Sequence, residues 1–235
     1  MNNTQTALPA ANGGHYPIVA PLPSAAQPGQ VTRMLRNTYA LLALTLLFSA
    51  GVAVASLALQ LPAPRLILTL VGYFGLLFTV FKLQNSVWAL PAVFALTGFM
   101  GYTLGPLLAH SMALPGGAQT VTLALAATGA TFLALSGYVL ATRRDFSFVG
   151  GFLFVGMVIA LIAGVAAVFL QIPALGLAVS AMVALLSAGL ILFETSRIVN
   201  GGETNYVLAT VGLYVSIINL FTSLLSLFGL GGSED

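Results

Sequence analysis

The stretch SFVGGFLFVGMVIALIAGVAAVFL (residues 147–170) contains no charged side chain, and its apolar residues run continuously without alternating with polar ones. A helix needs about 20 such residues to cross the hydrocarbon layer of a bilayer. A strand of a membrane barrel would instead alternate apolar and polar positions. The stretch therefore predicts a transmembrane helix that satisfies its own backbone in lipid.

Six comparable stretches surround it, at roughly 39–61, 66–81, 87–109, 119–142, 174–196 and 207–229. The one at 66–81 is short. It must thin the bilayer, snorkel its flanks or extend past Arg65 and Lys82. Composition agrees with a chain solvated by lipid: 59% of the 235 residues are hydrophobic and only 5% are charged. A soluble domain carries about 25% charged residues. Seven Lys and Arg with five Asp and Glu cannot build a water-facing surface, so a soluble enzyme is excluded. Extensive disorder is excluded for the opposite reason, since it needs low hydrophobicity and high charge. The net charge of +2 is no basic surface for nucleic acid. With no cysteine, disulfides, thiolate chemistry and cysteine metal sites are excluded together.

The few charges set an expected topology. Arg33, Arg36, Lys82, Arg143, Arg144 and Arg197 fall on one side of a seven-span chain, and Arg65 alone falls on the other. The positive-inside rule then predicts a cytoplasmic N-terminus and a periplasmic C-terminus. Tyr39, Trp88, Tyr138 and Tyr206 fall at the same ends, as an aromatic belt would. Residues 1–32 are rich in proline, lack a charge before Arg33 and show no basic n-region with an apolar run. They are expected to form a flexible cytoplasmic tail and not a signal peptide. The expected organisation is this tail, an all-α seven-helix transmembrane domain over 33–230, and a short C-terminal tail at 231–235.

Catalytic chemistry finds few materials. A serine nucleophile needs a positioned base. Ser136 beside Gly137 has only His15, in the tail, and His110, near an outer helix end, to draw on. No pair of helix aspartates, no His and carboxylate cluster at ligand spacing and no phosphate loop is present, so neither an enzyme nor a cofactor is expected.

Glu194 is the only acidic residue within a predicted span. A carboxylate there is costly unless paired. Arg197 follows by three positions, on the same helix face. Two readings stay open: a structural ion pair, with Arg197 or the Arg143–Arg144 turn, and a proton- or ion-sensing group. Ser216, Asn219, Ser223 and Ser226, with Thr222 beside them, form a polar stripe on the seventh helix. In lipid the stripe must face protein or water, which places this helix centrally. It serves either as interhelical glue or as a hydrated path. Gly101 and Gly105 form a small-xxx-small face that predicts close helix packing.

The blocks LRNTYALLALTLLFSA (35–50), LILTLVG (66–72), TGFMGYTLGP (97–106), YVLATRRDFSFVGG (138–151), FETSRIVNGGETNY (193–206) and LYVSIINLFTSLLSLFG (213–229) resemble the transmembrane Bax inhibitor motif family. The resemblance implies a bacterial inner-membrane protein of seven helices, the last surrounded by the other six. It also implies association with the membrane-bound ATP-dependent protease FtsH, as a slowly degraded, competing client. FtsH draws clients in by a cytoplasmic end, so the tail 1–32 is the expected handle. The turns at Lys82, Arg143, Arg144 and Arg197 are docking candidates. Other members are linked to a pH-sensitive calcium leak governed by two acids on helices six and seven. Carried over by position, these fall on Glu194 and on Ser216, so the second acid is missing here. A cation or proton leak using Glu194, Arg197, Ser216 and Asn219 is the alternative expectation.

Overall fold

The computed structural model describes residues 28–231. His15, most of the expected tail and residues 232–235 of the expected C-terminal tail lie outside the described residues. The chain forms α1 (Pro28–Ala58), α2 (Leu66–Leu83), α3 (Ala89–Ala113), α4 (Gly117–Thr142), α5 (Gly150–Leu170), α6 (Pro173–Val199) and α7 (Tyr206–Gly231), with a 3-10 turn at Ser147–Val149 leading into α5. All seven helices are long and apolar enough to cross a membrane.

Each expected span coincides with a helix, but α1 begins well ahead of residue 39. Hydropathy marks where lipid begins, whereas a helix can start in polar sequence. Pro28 occupies the first helical position, where its missing N–H costs nothing. Residues 28–32, expected in the tail, are therefore helical. The short second span becomes an 18-residue helix that runs to Leu83, one residue beyond Lys82. At a rise of about 1.5 Å per residue this is about 27 Å, just under the hydrocarbon thickness. Arg65 and Lys82 are both exposed at its ends, free to snorkel.

The seventh helix is the most enclosed: 56% of its spanning window is buried, against 39% for α3 and 6% for α2. It packs against α1, α3, α4 and α6, while α5 lies outside on α6 and α2 on α3. The arrangement differs from a ring of six around one, because α5 is a peripheral, lipid-facing helix. The main core gathers Leu42, Ile191, Leu213, Tyr214, Ile217 and Leu225. A second core joins Val80 and Val93 to Val207 and Val211 at the start of α7.

Close packing at Gly101 and Gly105 occurs within the chain, against α1. A Cβ on Gly101 would strike the Ser49 carbonyl, and one on Gly105 would strike the Ser56 side chain. Ser56 Oγ uses this approach to donate to the Tyr102 carbonyl at 3.1 Å. Tyr39, expected in the interfacial belt, instead packs inward against Phe132, with ring centroids 6.1 Å apart. Its position well inside the lengthened α1 is the reason.

Candidate functional site

The α6 segment ETSRIVN (194–200) and the turn that follows it organise one end of the bundle, the end that also carries Lys82, Arg143 and Arg144. Successive residues of a helix point in successive directions, and here each direction finds a different partner. Glu194 faces α7: a Cβ built on Gly212 would lie 2.8 Å from the Glu194 carboxyl carbon. Only a glycine leaves room for that carboxylate. Thr195 Oγ1 and Ser136 Oγ of α4 are 3.2 Å apart, both buried. Ser136 is thus a helix-to-helix contact, and His110 stands at the opposite end of the bundle.

Ser196 turns to the α4–α5 connection. Its Oγ accepts the Phe146 N–H at 2.8 Å and lies 3.3 Å from the Arg144 carbonyl. Asn200 Nδ2 donates to Ser196 Oγ at 3.2 Å and to the Arg144 carbonyl at 3.4 Å. The Arg143–Arg144 turn is therefore held by its backbone, and its guanidiniums do not meet Glu194. Ser147, by its hydroxyl (2.6 Å) and backbone N–H (2.8 Å), binds Asp145 Oδ1 and holds that carboxyl below its usual range.

Arg197 meets Glu194, but at 3.7 Å. Its shorter partner is Glu203, at 2.9 Å. The turn Asn200-Gly201-Gly202 reverses the chain, with Gly201 at φ 76°, and brings Glu203 back over the helix end. The Glu203 N–H closes onto the Arg197 carbonyl at 3.1 Å. Its Oε1 accepts the N–H groups of Thr204 (3.0 Å) and Asn205 (2.9 Å). Asn205 then caps α7: its Oδ1 accepts from Val207 (2.9 Å) and Leu208 (3.4 Å). Its Nδ2 reaches the Gln84 carbonyl and Asn85 Oδ1, each at 3.1 Å, and so ties in the α2–α3 connection. Ser196, Arg197 and Asn200 of α6 with Glu203 and Asn205 of the following turn thus clamp the α4–α5 and α2–α3 connections to this end.

The structure brings Glu194 and Arg197 together, and places Ser216 one turn beyond Gly212 on α7. Ser216 Oγ donates to the Gly212 carbonyl at 2.9 Å. Thr222 bonds the Asn219 carbonyl and Ser226 bonds the Thr222 carbonyl, so these hydroxyls are satisfied by their own helix. Interhelical polar contacts come from elsewhere on α7. Tyr214, fully buried, meets Ser49 Oγ of α1 at 2.6 Å and the Thr97 carbonyl of α3 at 3.3 Å. Thr210 Oγ1 lies 3.3 Å from the Thr38 carbonyl. The side chains of Lys82, Arg143 and Arg144 are exposed and take no part in the clamp. No group of three or more potential metal ligands occurs among the described residues.

Sequence reasoning missed Glu203, Ser196, Asn205 and Tyr214. The signal for Glu203 was present: an Asn-Gly-Gly turn three residues after an interfacial arginine brings the acid six residues on back to that arginine.

Residues 31–233 match the Bax1-I family, described as inhibitor of apoptosis-promoting Bax1. The chain belongs to this family. Over 202 residues it is 52% identical to the modulator of FtsH protease YccA of Escherichia coli K12, which covers 86% of this chain and 92% of that protein. The same identity relates it to the inner membrane protein YccA of Escherichia coli O6:H1. A protein of Pseudomonas aeruginosa is 50% identical over 210 residues, 89% of this chain and 95% of its own length. The family reached from the blocks at 35–229 is thereby established, for a non-enzymatic protein of the inner membrane.

Proposed function

We propose that this protein binds FtsH at the inner membrane as a slowly degraded, competing client and so modulates turnover of other membrane proteins. The observation that carries this reading is the 52% identity, over nearly all of both chains, to a relative whose name is modulator of FtsH protease. The clamp end, which holds six of the seven basic residues, is the cytoplasmic face.

The bundle supplies a physical reason for slow degradation. A protease that engages the N-terminal end must draw α1 out first. α1 is locked to α3 through Ser56 and Tyr102, and to α7 through Ser49–Tyr214 and Thr38–Thr210. Extraction must break these contacts at once, in lipid, where their polar groups find no water. Lys82, Arg143 and Arg144 offer the exposed cations for docking, and residues preceding Pro28 offer the handle.

Co-purification from solubilised membranes tests the reading directly: FtsH is retained by the full chain. Deleting residues 2–27, which leaves α1 whole, lengthens the protein's half-life in cells containing FtsH. An unchanged half-life removes the handle, and failure to retain FtsH removes the reading itself.

A further inference from the structure

The α4–α5 connection combines three features. The first is charge without a partner. Arg143 and Arg144 are exposed, and among the described residues neither forms an ion pair with a carboxylate. The adjacent Asp145 turns its carboxylate to Ser147, which donates two hydrogen bonds to Oδ1, and it forms no ion pair with either arginine. The second is rigidity. The Arg144 carbonyl and the Phe146 N–H are both held by the end of α6, through Ser196 and Asn200. Arg143 terminates α4 in the left-handed conformation at φ 50°, with its N–H on the Val139 carbonyl at 2.7 Å. Glycine is the usual residue at such a helix end, so an arginine there places a cation where the backbone would favour no side chain at all.

The third feature is a row of rings. Tyr138 and Phe146 lie with centroids 6.3 Å apart, and Phe146 and Phe148 stack at 6.5 Å. Phe148 is 80% exposed at the start of α5, the outlying helix that turns Phe152 and Phe154 to the lipid. The amphipathic ring of Tyr138 suits the boundary between acyl chains and headgroups, and the exposed apolar ring of Phe148 suits the acyl region just inside it, so together they set the depth of the turn. The two guanidiniums then stand at the level of the lipid phosphates. Their planar forks suit a phosphate diester, which can accept two parallel hydrogen bonds.

We propose that the α4–α5 turn is a binding site for an anionic phospholipid. Arg143 and Arg144 grip its phosphate, and Phe146 and Phe148 bear on the upper part of its acyl chains. The site draws on two of the cations that the protease reading offers for docking, but it requires only the bilayer.

Native mass spectrometry of the full chain, released from neutral detergent with phosphatidylglycerol or phosphatidylcholine added, reads the bound lipid. Wild type retains phosphatidylglycerol in preference to phosphatidylcholine. Arg143→Gln and Arg144→Gln each weaken that retention about fivefold, the effect of one basic residue at an anionic surface. Phe148→Ala weakens it as well, with both arginines intact, which separates the site from simple charge attraction and provides a second variant should the double arginine change fail to fold. Excess inorganic phosphate leaves the lipid in place. Equal losses from Lys82→Gln would overturn the proposal by showing a diffuse basic surface. Displacement of the lipid by inorganic phosphate would overturn it in favour of a free-anion site. Unaltered lipid retention in Arg143→Gln/Arg144→Gln, with loss of FtsH co-purification, would assign these arginines to the protease instead.

Discussion

Arg197 Nη2 lies 2.9 Å from Glu203 Oε2, while its Nη1 stands 3.7 Å from Glu194 Oε2. One guanidinium thus ties the end of α6 to the turn that starts α7, and Glu203 is the nearer anchor. The other oxygen of Glu203 holds two backbone N–H groups, so its loss frees several donors at once. Glu203→Ala is expected to lower stability by about 2 kcal/mol, in the range for hydrogen bonds to charged groups. Glu194→Gln removes only the longer contact and should cost less than about 1 kcal/mol. Unfolding midpoints of the two variants in the same detergent check the order. A larger loss at Glu194 would mean that the α6–α7 contact, not the turn, holds this end.

The approach of α3 to α1 makes a sharper demand on side-chain size. At Gly101 an added methyl meets the Ser49 backbone carbonyl, which cannot swing away as a side chain can. Gly101→Ala is expected to destabilise by about 1–3 kcal/mol, the usual cost of overpacking. Gly129 of α4 has open space around it, so Gly129→Ala should leave the midpoint unchanged or slightly raised. Equal effects at the two glycines would remove the close approach as a determinant of the fold.

Tyr214 connects three helices through one hydroxyl. Tyr214→Phe and Ser49→Ala should each cost about 0.6–1 kcal/mol, as polar contacts between membrane helices do. Since they break the same contact, their combination should cost less than the sum. If α1 is the first helix that FtsH extracts, both variants should also shorten the half-life in cells containing FtsH. Stable proteins with unaltered half-lives would separate this contact from resistance to the protease.

The spans were legible because lipid imposes a single requirement, a long apolar run, that any sequence must display. Residues such as Gly101 and Gly105 were legible for a related reason: small side chains on one face announce close packing. Less could be read where a residue's role depends on chain reversal. Glu203 looks like loop polarity until Gly201 turns it back over Arg197. Tyr214 looks like one more aromatic in an apolar helix, because its hydroxyl partner lies 165 positions away. The stripe at Ser216, Asn219, Ser223 and Ser226, with Thr222 beside it, was read for its outward partners alone. Three- and four-residue steps also let the hydroxyls of Ser216, Thr222 and Ser226 bond their own helix.

Asp145 should give the protein a recognisable acid limb. The hydrogen bonds from Ser147 favour its charged form and lower its folded pKa below the ordinary 3.8. A group shifted downward contributes stability above its unfolded value and loses it as pH falls through the folded one. The midpoint of wild type should therefore fall with pH below about 4 more steeply than that of Asp145→Asn. At neutral pH the substitution should lower the midpoint, and the two curves should converge in acid. Parallel curves would show that Asp145 and Ser147 are not coupled in solution.

The placement of the clamp on the cytoplasmic side can be tested with two cysteines, since the chain has none of its own. Val87 lies in the α2–α3 connection at the clamp end and is 89% exposed. Ala63 lies exposed in the α1–α2 connection at the opposite end. An impermeant maleimide added to intact spheroplasts should label Ala63→Cys and leave Val87→Cys untouched until the membrane is opened. The charge asymmetry that supports this orientation is six cations against one, so reversing it should require moving several of them. Substituting Arg143 and Arg144 together should leave the labelling pattern intact, because Arg33, Arg36, Lys82 and Arg197 still mark the same side. Labelling of Val87→Cys from outside would invert the bundle and take the clamp, with Arg143 and Arg144, out of reach of a cytoplasmic protease.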